Sequence, residues 1–229
     1  MLASFGGDVR SLDLPGADGD VLPGVKWGAF DEFMTPAYWV GRAWVETDLA
    51  SPERFKLGCT LEEEVAACLL GGFGIPAEVG IAAFERIRDS RLLSRLPTTE
   101  AIWALLARPL SVAGRSVRYR FARQKADYLA RALRALSEQQ LEDLEDLAFR
   151  DVLLALPGVG LKTASWITRN WRESDSVAIL DVHICRACEA AGVFPLSSRP
   201  ERDYRILEAR FLEFACALRV KPSILDNIM

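Results

Sequence analysis

Two residues in this sequence have the type and setting for covalent chemistry, Lys162 and Asp181. Lys162 lies in the stretch LPGVGLKTASWI, where a Pro-Gly-Val-Gly turn runs into the start of a helix. A helix N-terminus carries partial positive charge and favours anions, so a cation there is not a stabilising device. A lysine among backbone N–H dipoles and other cations is pushed toward its neutral form. A neutral amine is a nucleophile and forms a Schiff base with a sugar C1′. The plainer alternative is a solvated surface lysine. Gly158 and Gly160 admit torsions that side chains forbid and let another backbone approach. The amides around Gly158, Val159 and Gly160 then face outward and form an anion site, for which a DNA phosphate is the natural ligand. A lone Gly-x-Gly is more simply a connection between two packed helices.

Asp181 closes the apolar run Val177–Leu180 in VAILDVHICR, which places it at a buried or cleft position. A carboxylate at a helix start caps it, and that is its structural role. In a cleft the same group stabilises positive charge developing on a deoxyribose as its base departs. It can also orient or deprotonate an attacking group.

The elements that must position this pair are mostly helical. TLEEEVAACLLGG opens with a Thr cap and acidic residues and ends on a glycine pair. IPAEVGIAAFERIRDS, TTEAIWALLARPL, RQKADYLARALRALS and SEQQLEDLEDLAFRDVLLALPG each begin near a polar cap and end near Gly, Pro or Ser. LKTASWITRNW follows the turn, SDSVAIL is a short extended link, and DVHICRACEAAG and RPERDYRILEARFLEFACALRV are further helices. The pattern predicts a mostly α protein of about eight or nine helices, without repeats. Residues 1–55 are rich in Gly, Asp and Pro and are predicted to form a short irregular or small-β extension that packs on the C-terminal lobe. EFMTPAYWVGRAWVE within it reads equally as a strand pair or irregular wrapping. Residues 56–229 form the main domain, with the helical hairpin at about 150–167.

From Arg108 to Arg134 there are eight basic residues against the single acid Asp127. Arg120, Arg123 and Lys125 lie in its densest part, and such density neutralises phosphates. The alternative is a solvated helix face paired with the acidic EQQLEDLEDL downstream. Trp166 lies one turn past Lys162 and is a candidate wall of a base pocket, with Phe211 and Phe214 opposite, because flipped bases are held between flat side chains. Core burial is the alternative for all three. Phe73 in GGFGIP is either an apolar wedge for a duplex or a core aromatic.

The net charge of -4 and pI near 5.3 do not exclude a locally basic binding face. Five cysteines, an odd number in apolar surroundings, are expected to be reduced core residues of a cytosolic protein. Cys185-x-x-Cys188 lacks the further ligands a metal site needs, so no metal and no cofactor is expected. No signal peptide and no run of about 20 apolar residues is present, so no membrane partner is expected.

LPGVGLKTA followed by LDVHICR resembles the helix-hairpin-helix DNA glycosylases of the endonuclease III superfamily. The Asp-Val-His triplet and the spacing are most similar to the 8-oxoguanine DNA glycosylase branch. VRYRFARQKADYLARAL is similar to a helix of its compact archaeal-type members. The resemblance runs from about Thr60 to Phe194. It implies a two-lobed helical fold with duplex DNA across the cleft between lobes. It also implies Lys162 as Schiff-base nucleophile, Asp181 as catalytic carboxylate, and a phosphate on Gly158, Val159 and Gly160. His183, the only histidine, would contact a second phosphate; its structural alternative is a hydrogen-bonded helix residue. The implied activity is excision of a damaged or modified base, 8-oxoguanine first, and strand nicking by β-elimination. A monomer in a bacterial or archaeal cytosol, associated with the nucleoid, is expected.

The departures from the family are also informative. The four-cysteine iron–sulfur motif of endonuclease III is absent, which argues against that branch. The β-rich N-terminal domain of the animal and bacterial enzymes has little room here, and GGFGIP stands where they carry an asparagine-rich wedge. Archaeal-type enzymes end in a lysine that helps read the base, whereas this sequence ends LDNIM, so the base read stays open. Three alternatives follow: an oxidised-pyrimidine enzyme, a glycosylase-like protein of antiphage operons with operon partners, and a non-catalytic DNA-binding module.

Overall fold

The computed structural model describes residues 1–5, 8–47, 55–72 and 74–229. The chain divides into two compact units, residues 1–54 with 173–229, and residues 55–172. Among the described residues it is mostly helical, with three separate two-stranded antiparallel ribbons.

The first unit contains β1 (Leu2–Phe5), β2 (Asp8–Ser11), β3 (Asp20–Leu22), β4 (Val25–Lys26) and α1 (Pro36–Thr47). The stretch that read as strands or wrapping is therefore partly a helix. Its start signal is local: the Thr35 hydroxyl accepts from the Tyr38 amide at 3.1 Å, and Pro36 follows at the first helical position. Ala37, Trp39 and Ala43 are the buried side of α1. The chain returns to this unit with α8 (Val182–Ala190), α9 (Pro200–Leu218) and α10 (Pro222–Ile228). α1 packs on α10, and β3 on α9.

The second unit is built around α2 (Leu61–Leu70), with α3 (Ala77–Asp89), α4 (Thr99–Leu106), β5 (Leu110–Val112), β6 (Arg115–Val117), α5 (Ala122–Leu136), α6 (Asp146–Leu153) and α7 (Leu161–Arg172). Glu64 through Leu70 are all buried, so α2 is covered on every side, by α3, α5 and α7 among others. Thr60 caps it, accepting from the Glu63 amide, as the sequence predicted. Residues 137–145 are not helical, although they read as the start of one helix with 146–153. Glu138, Glu142 and Glu145 would lie three or four apart on one helix face and repel. The residues before Ala122 are not helical either. Ala113 and Gly114, both with positive φ, turn β5 into β6.

A buried helix must satisfy its polar groups from elsewhere in the chain. The Tyr119 hydroxyl donates to the Leu70 carbonyl at 2.6 Å. The Lys125 ammonium donates to the carbonyls of Leu69 at 2.6 Å and Gly71 at 3.2 Å. The fully buried Glu64 accepts from the amides of Leu57 and Gly58 and from the Asn170 side chain at 2.7 Å. These bonds tie the entry to the unit, the centre of α2 and the end of α7 together.

Burial pushes the Tyr119 phenol up from its ordinary pKa. A raised folded-state value means that stability is held below the unfolded pKa, about 10, and lost as pH rises past it. Urea unfolding of Tyr119→Phe is expected to show a loss of about 1 kcal/mol at neutral pH. The variant should also show a shallower fall in stability above about pH 10. Equal slopes above that pH would remove the phenol as the titrating group.

Candidate active site

The hairpin joins α6 to α7. Leu156 and Val159 are buried, and the Val159 amide donates to the Leu156 carbonyl at 3.1 Å, which closes the turn. Gly158 has φ +81°, and a Cβ there would come within 2.4 Å of the Tyr128 ring. Both torsion and packing therefore demand glycine at this position. Gly160 differs from the expectation. Its φ lies outside the left-handed region, and nothing stands within 4 Å of where its Cβ would be. It leaves the approach to the α7 N-terminus open. The amides of Gly160, Leu161 and Lys162 have no hydrogen-bond partner among the described residues, and the first bond into the helix is from the Ala164 amide to the Gly160 carbonyl. Unpaired amides at the positive end of a helix are suited to an anion. Lys162 is half-buried, and its amine makes no hydrogen bond or ion pair among the described residues.

Asp181, in the other unit, is the N-cap of α8. Its Oδ1 accepts from the amides of His183 at 2.8 Å and Ile184 at 2.9 Å. Its Oδ2 has no partner among the described residues. The cap thus uses only one of the two carboxylate oxygens. The preceding link is buried and extended without being a ladder strand. Its backbone is held by α9 instead: Glu208 accepts from the Ala178 amide at 3.1 Å, and the Tyr204 hydroxyl takes the Leu180 amide at 3.2 Å and donates to the Ala178 carbonyl at 2.7 Å. These bonds set where Asp181 stands. Sequence analysis missed Tyr204 and Glu208; the available signal was two polar residues at i and i+4 on a face of α9 that also buries Leu207 and Phe211. His183 is exposed, and its ring makes no hydrogen bond among the described residues.

Other expected site residues sort differently. Lys125 is half-buried on the end of α2, where desolvation lowers its pKa, so its ammonium is not free for a phosphate. Arg123 pairs with Glu100 at 3.3 Å and lies over the Trp103 ring. The exposed Arg120 lies over the Phe121 ring, 4.6 Å from its centroid. Phe211 and Phe214 are 0% exposed, so neither presents a face to a ligand; they are core residues. Trp166 is half-buried, packed on the core of its unit with its ring edge against Gly71. Phe73 lies outside the described residues. Cys59 and Cys216 are exposed rather than core, and none of the five cysteines is in a disulfide.

Tyr119 and Phe121 alternate with the arginines and read in the sequence as core anchors that aim them; Tyr119 is buried as expected, but Phe121 is not. Phe121 is 42% exposed and is held at φ +63°, a conformation a bulky residue adopts only under constraint. Its ring and the Arg120 side chain stand beside Gly74. Its exposure is not marked in the local sequence, because the constraint comes from Tyr119 and Lys125 on either side being bonded to α2.

The model of the family described as 8-oxoguanine DNA glycosylase matches residues 59–220. The fold is similar to that of the 8-oxoguanine DNA glycosylase of Thermotoga maritima, with a TM-score of 0.61, 21% identity, and coverage of 84% of this chain and 94% of that one. It is similar to Methanocaldococcus jannaschii 8-oxoguanine DNA glycosylase, with a TM-score of 0.54, 24% identity, and coverage of 82% and 81%. It is also similar to the 8-oxoguanine glycosylase/lyase of that organism in complex with a 15mer DNA containing 8-oxoguanine, with a TM-score of 0.57, 23% identity, and coverage of 84% and 86%.

The two hairpin glycines are expected to respond differently to alanine. Gly158→Ala should destabilise the protein by more than about 2 kcal/mol in urea unfolding, from torsional strain and the clash with Tyr128 together. Gly160→Ala should stay within about 1 kcal/mol of the parent. Similar losses at both positions would refute the separate roles.

Proposed function

The chain belongs to the 8-oxoguanine DNA glycosylase family, and from that premise we propose that it is a bifunctional DNA glycosylase and lyase acting on a damaged base in duplex DNA. The observation that carries this reading is the Lys162 amine, unpartnered beside the open amides that begin α7. A phosphate on the amides of Gly160 and Leu161 would hold the DNA backbone next to that amine. His183 and Arg120, both exposed, would take further phosphates.

The chemistry needs a nucleophilic amine and a carboxylate on one deoxyribose. Lys162 and Asp181 are the residues offered for it. As the C1′–N bond breaks, the electron pair leaves with the base, and the carboxylate oxygen of Asp181 that caps nothing stabilises the positive charge left on the sugar. The Lys162 nitrogen forms the new bond to C1′, and ring opening gives an imine. Loss of a C2′ proton and departure of the 3′ phosphate then cut the strand, and water releases the lysine. Phe121 would enter the stack when the nucleotide leaves it, because apolar side chains fill such gaps. 8-Oxoguanine is the proposed base, supported by the family description and by the DNA held in the similar M. jannaschii structure. A pure binding module has no use for a free amine and a free carboxylate oxygen in these positions.

Borohydride trapping tests the reading on duplexes carrying 8-oxoguanine, an oxidised pyrimidine or an abasic site. A covalent adduct is expected with the parent protein and none with Lys162→Gln. Asp181→Asn should slow base release by about a hundredfold or more. Phe121→Ala should lower adduct formation roughly tenfold on the base-containing duplex but little on the abasic one, where no base has to be unstacked. A folded parent protein that gives no adduct on any duplex would overturn the lyase reading.

A further inference from the structure

The basic run from Arg108 to Arg134 divides once its side chains are followed. Lys125, Arg123 and Arg131 have intramolecular partners, the last being Asp127. Arg115 and Arg118 are exposed and have no hydrogen bond, ion pair or ring contact from their side chains among the described residues. Both belong to the β5–β6 ribbon or its immediate exit. No acidic residue occurs between Glu100 and Asp127 to neutralise them.

The ribbon is held at both ends. On the way in, Arg86 of α3 donates to the carbonyls of Leu105, Arg108 and Pro109. On the way out, Tyr119 is bonded to Leu70. Leu110 pairs with Val117 on the packed side, with Leu110 buried, and Ser111 pairs with Ser116 on the exposed side. A Cβ at Gly114, in the turn, would meet nothing within 4 Å. By the same register Val112 pairs with Arg115 on the side of Leu110 and Val117, so the outward face carries the two small hydroxyls, while the exposed Arg115 leaves from the other side beside the bare tip and the exposed Arg118 follows the ribbon at its exit. Its foot adjoins the end of α2, where Gly71 meets the ring of Trp166, four residues after Lys162 on α7. The ribbon and the lysine helix are thus fixed within one unit.

We propose that the β5–β6 ribbon is an arm that grips the sugar-phosphate backbone of duplex DNA away from the nucleotide being processed. The proposal rests on the glycosylase reading and adds to it a contact that the hairpin does not make. Arginine, serine hydroxyls and backbone amides are the groups that bind phosphates and position a protein on a duplex without reading its sequence. Three residues of extended chain span about 10 Å, so Arg115 and Arg118 reach different phosphates. Neither has to break an internal ion pair first.

The test is the salt dependence of duplex binding, followed by fluorescence anisotropy on labelled duplexes with and without 8-oxoguanine, for the parent, for Arg115→Ala/Arg118→Ala and for Arg115→Lys/Arg118→Lys. The alanine pair is expected to weaken binding by about tenfold on both duplexes and to make the slope of log affinity against log salt shallower by about 1.8, two contacts' worth. The lysine pair should restore the slope. Borohydride adduct formation at saturating DNA should stay at the parent level. An unchanged slope in the alanine pair, or a loss confined to the 8-oxoguanine duplex, overturns the arm. If the parent itself binds neither duplex in a salt-dependent way, the glycosylase reading fails with it. If the parent binds and the alanine pair binds equally well, the arm alone is wrong.

Discussion

A helix buried on every side has nowhere to lose its unpaired polar groups, and α2 is such a helix. Its last carbonyls go to Tyr119 and Lys125, and its buried carboxylate, Glu64, takes two backbone amides and the side chain of Asn170. Orphaned groups of this kind cost on the order of 1–3 kcal/mol each. Their partners are therefore not free to move, and those partners carry the candidate functional elements. Tyr119 and Lys125 fix the segment that exposes Arg120 and Phe121. Asn170 fixes one end of the helix whose other end carries Lys162.

At the hairpin and at the aspartate the structural role is confined to a few atoms. Gly158 is required by what lies against it, whereas the space a Cβ would take at Gly160 is open. One oxygen of Asp181 caps α8 while the other is unused. A cap and a catalytic carboxylate are thus compatible in one residue, because a carboxylate has more acceptor sites than two amides consume. The buried link that precedes it is neither helix nor ladder strand. Its amides are paired by α9 side chains, as buried backbone requires.

Charge is sorted just as locally. The protein is acidic as a whole, yet the stretch between Glu100 and Asp127 carries no acid at all. Within it some cations face inward to carbonyls or sideways to carboxylates, and a few face solvent alone. Overall charge therefore says little about which face could meet a polyanion. The acidic residues 138–145 do not form the neutralising helix that the sequence allowed. Arg123 and Arg131 of the basic run pair instead with Glu100 and Asp127.

The sequence by itself determined the helical class, the positions of most helices, the hairpin and the two candidate catalytic residues. Apolar spacing, Thr caps and Gly-Pro punctuation are local signals, and Lys162 and Asp181 sit at turns that such signals mark. The start of α1 is also marked locally, by Thr35 as cap and Pro36 at the first helical position. The tertiary structure alone decided which side chains are free. Lys125 and Arg118 look alike in the sequence, and only a carbonyl 56 residues away distinguishes them. Phe211, Phe214 and Phe121 are equally aromatic, yet two are sealed in the core and one is held open by bonds on either side of it. A contact between residues far apart in the chain leaves no periodicity in either segment, so its consequences appear only once the chain has folded.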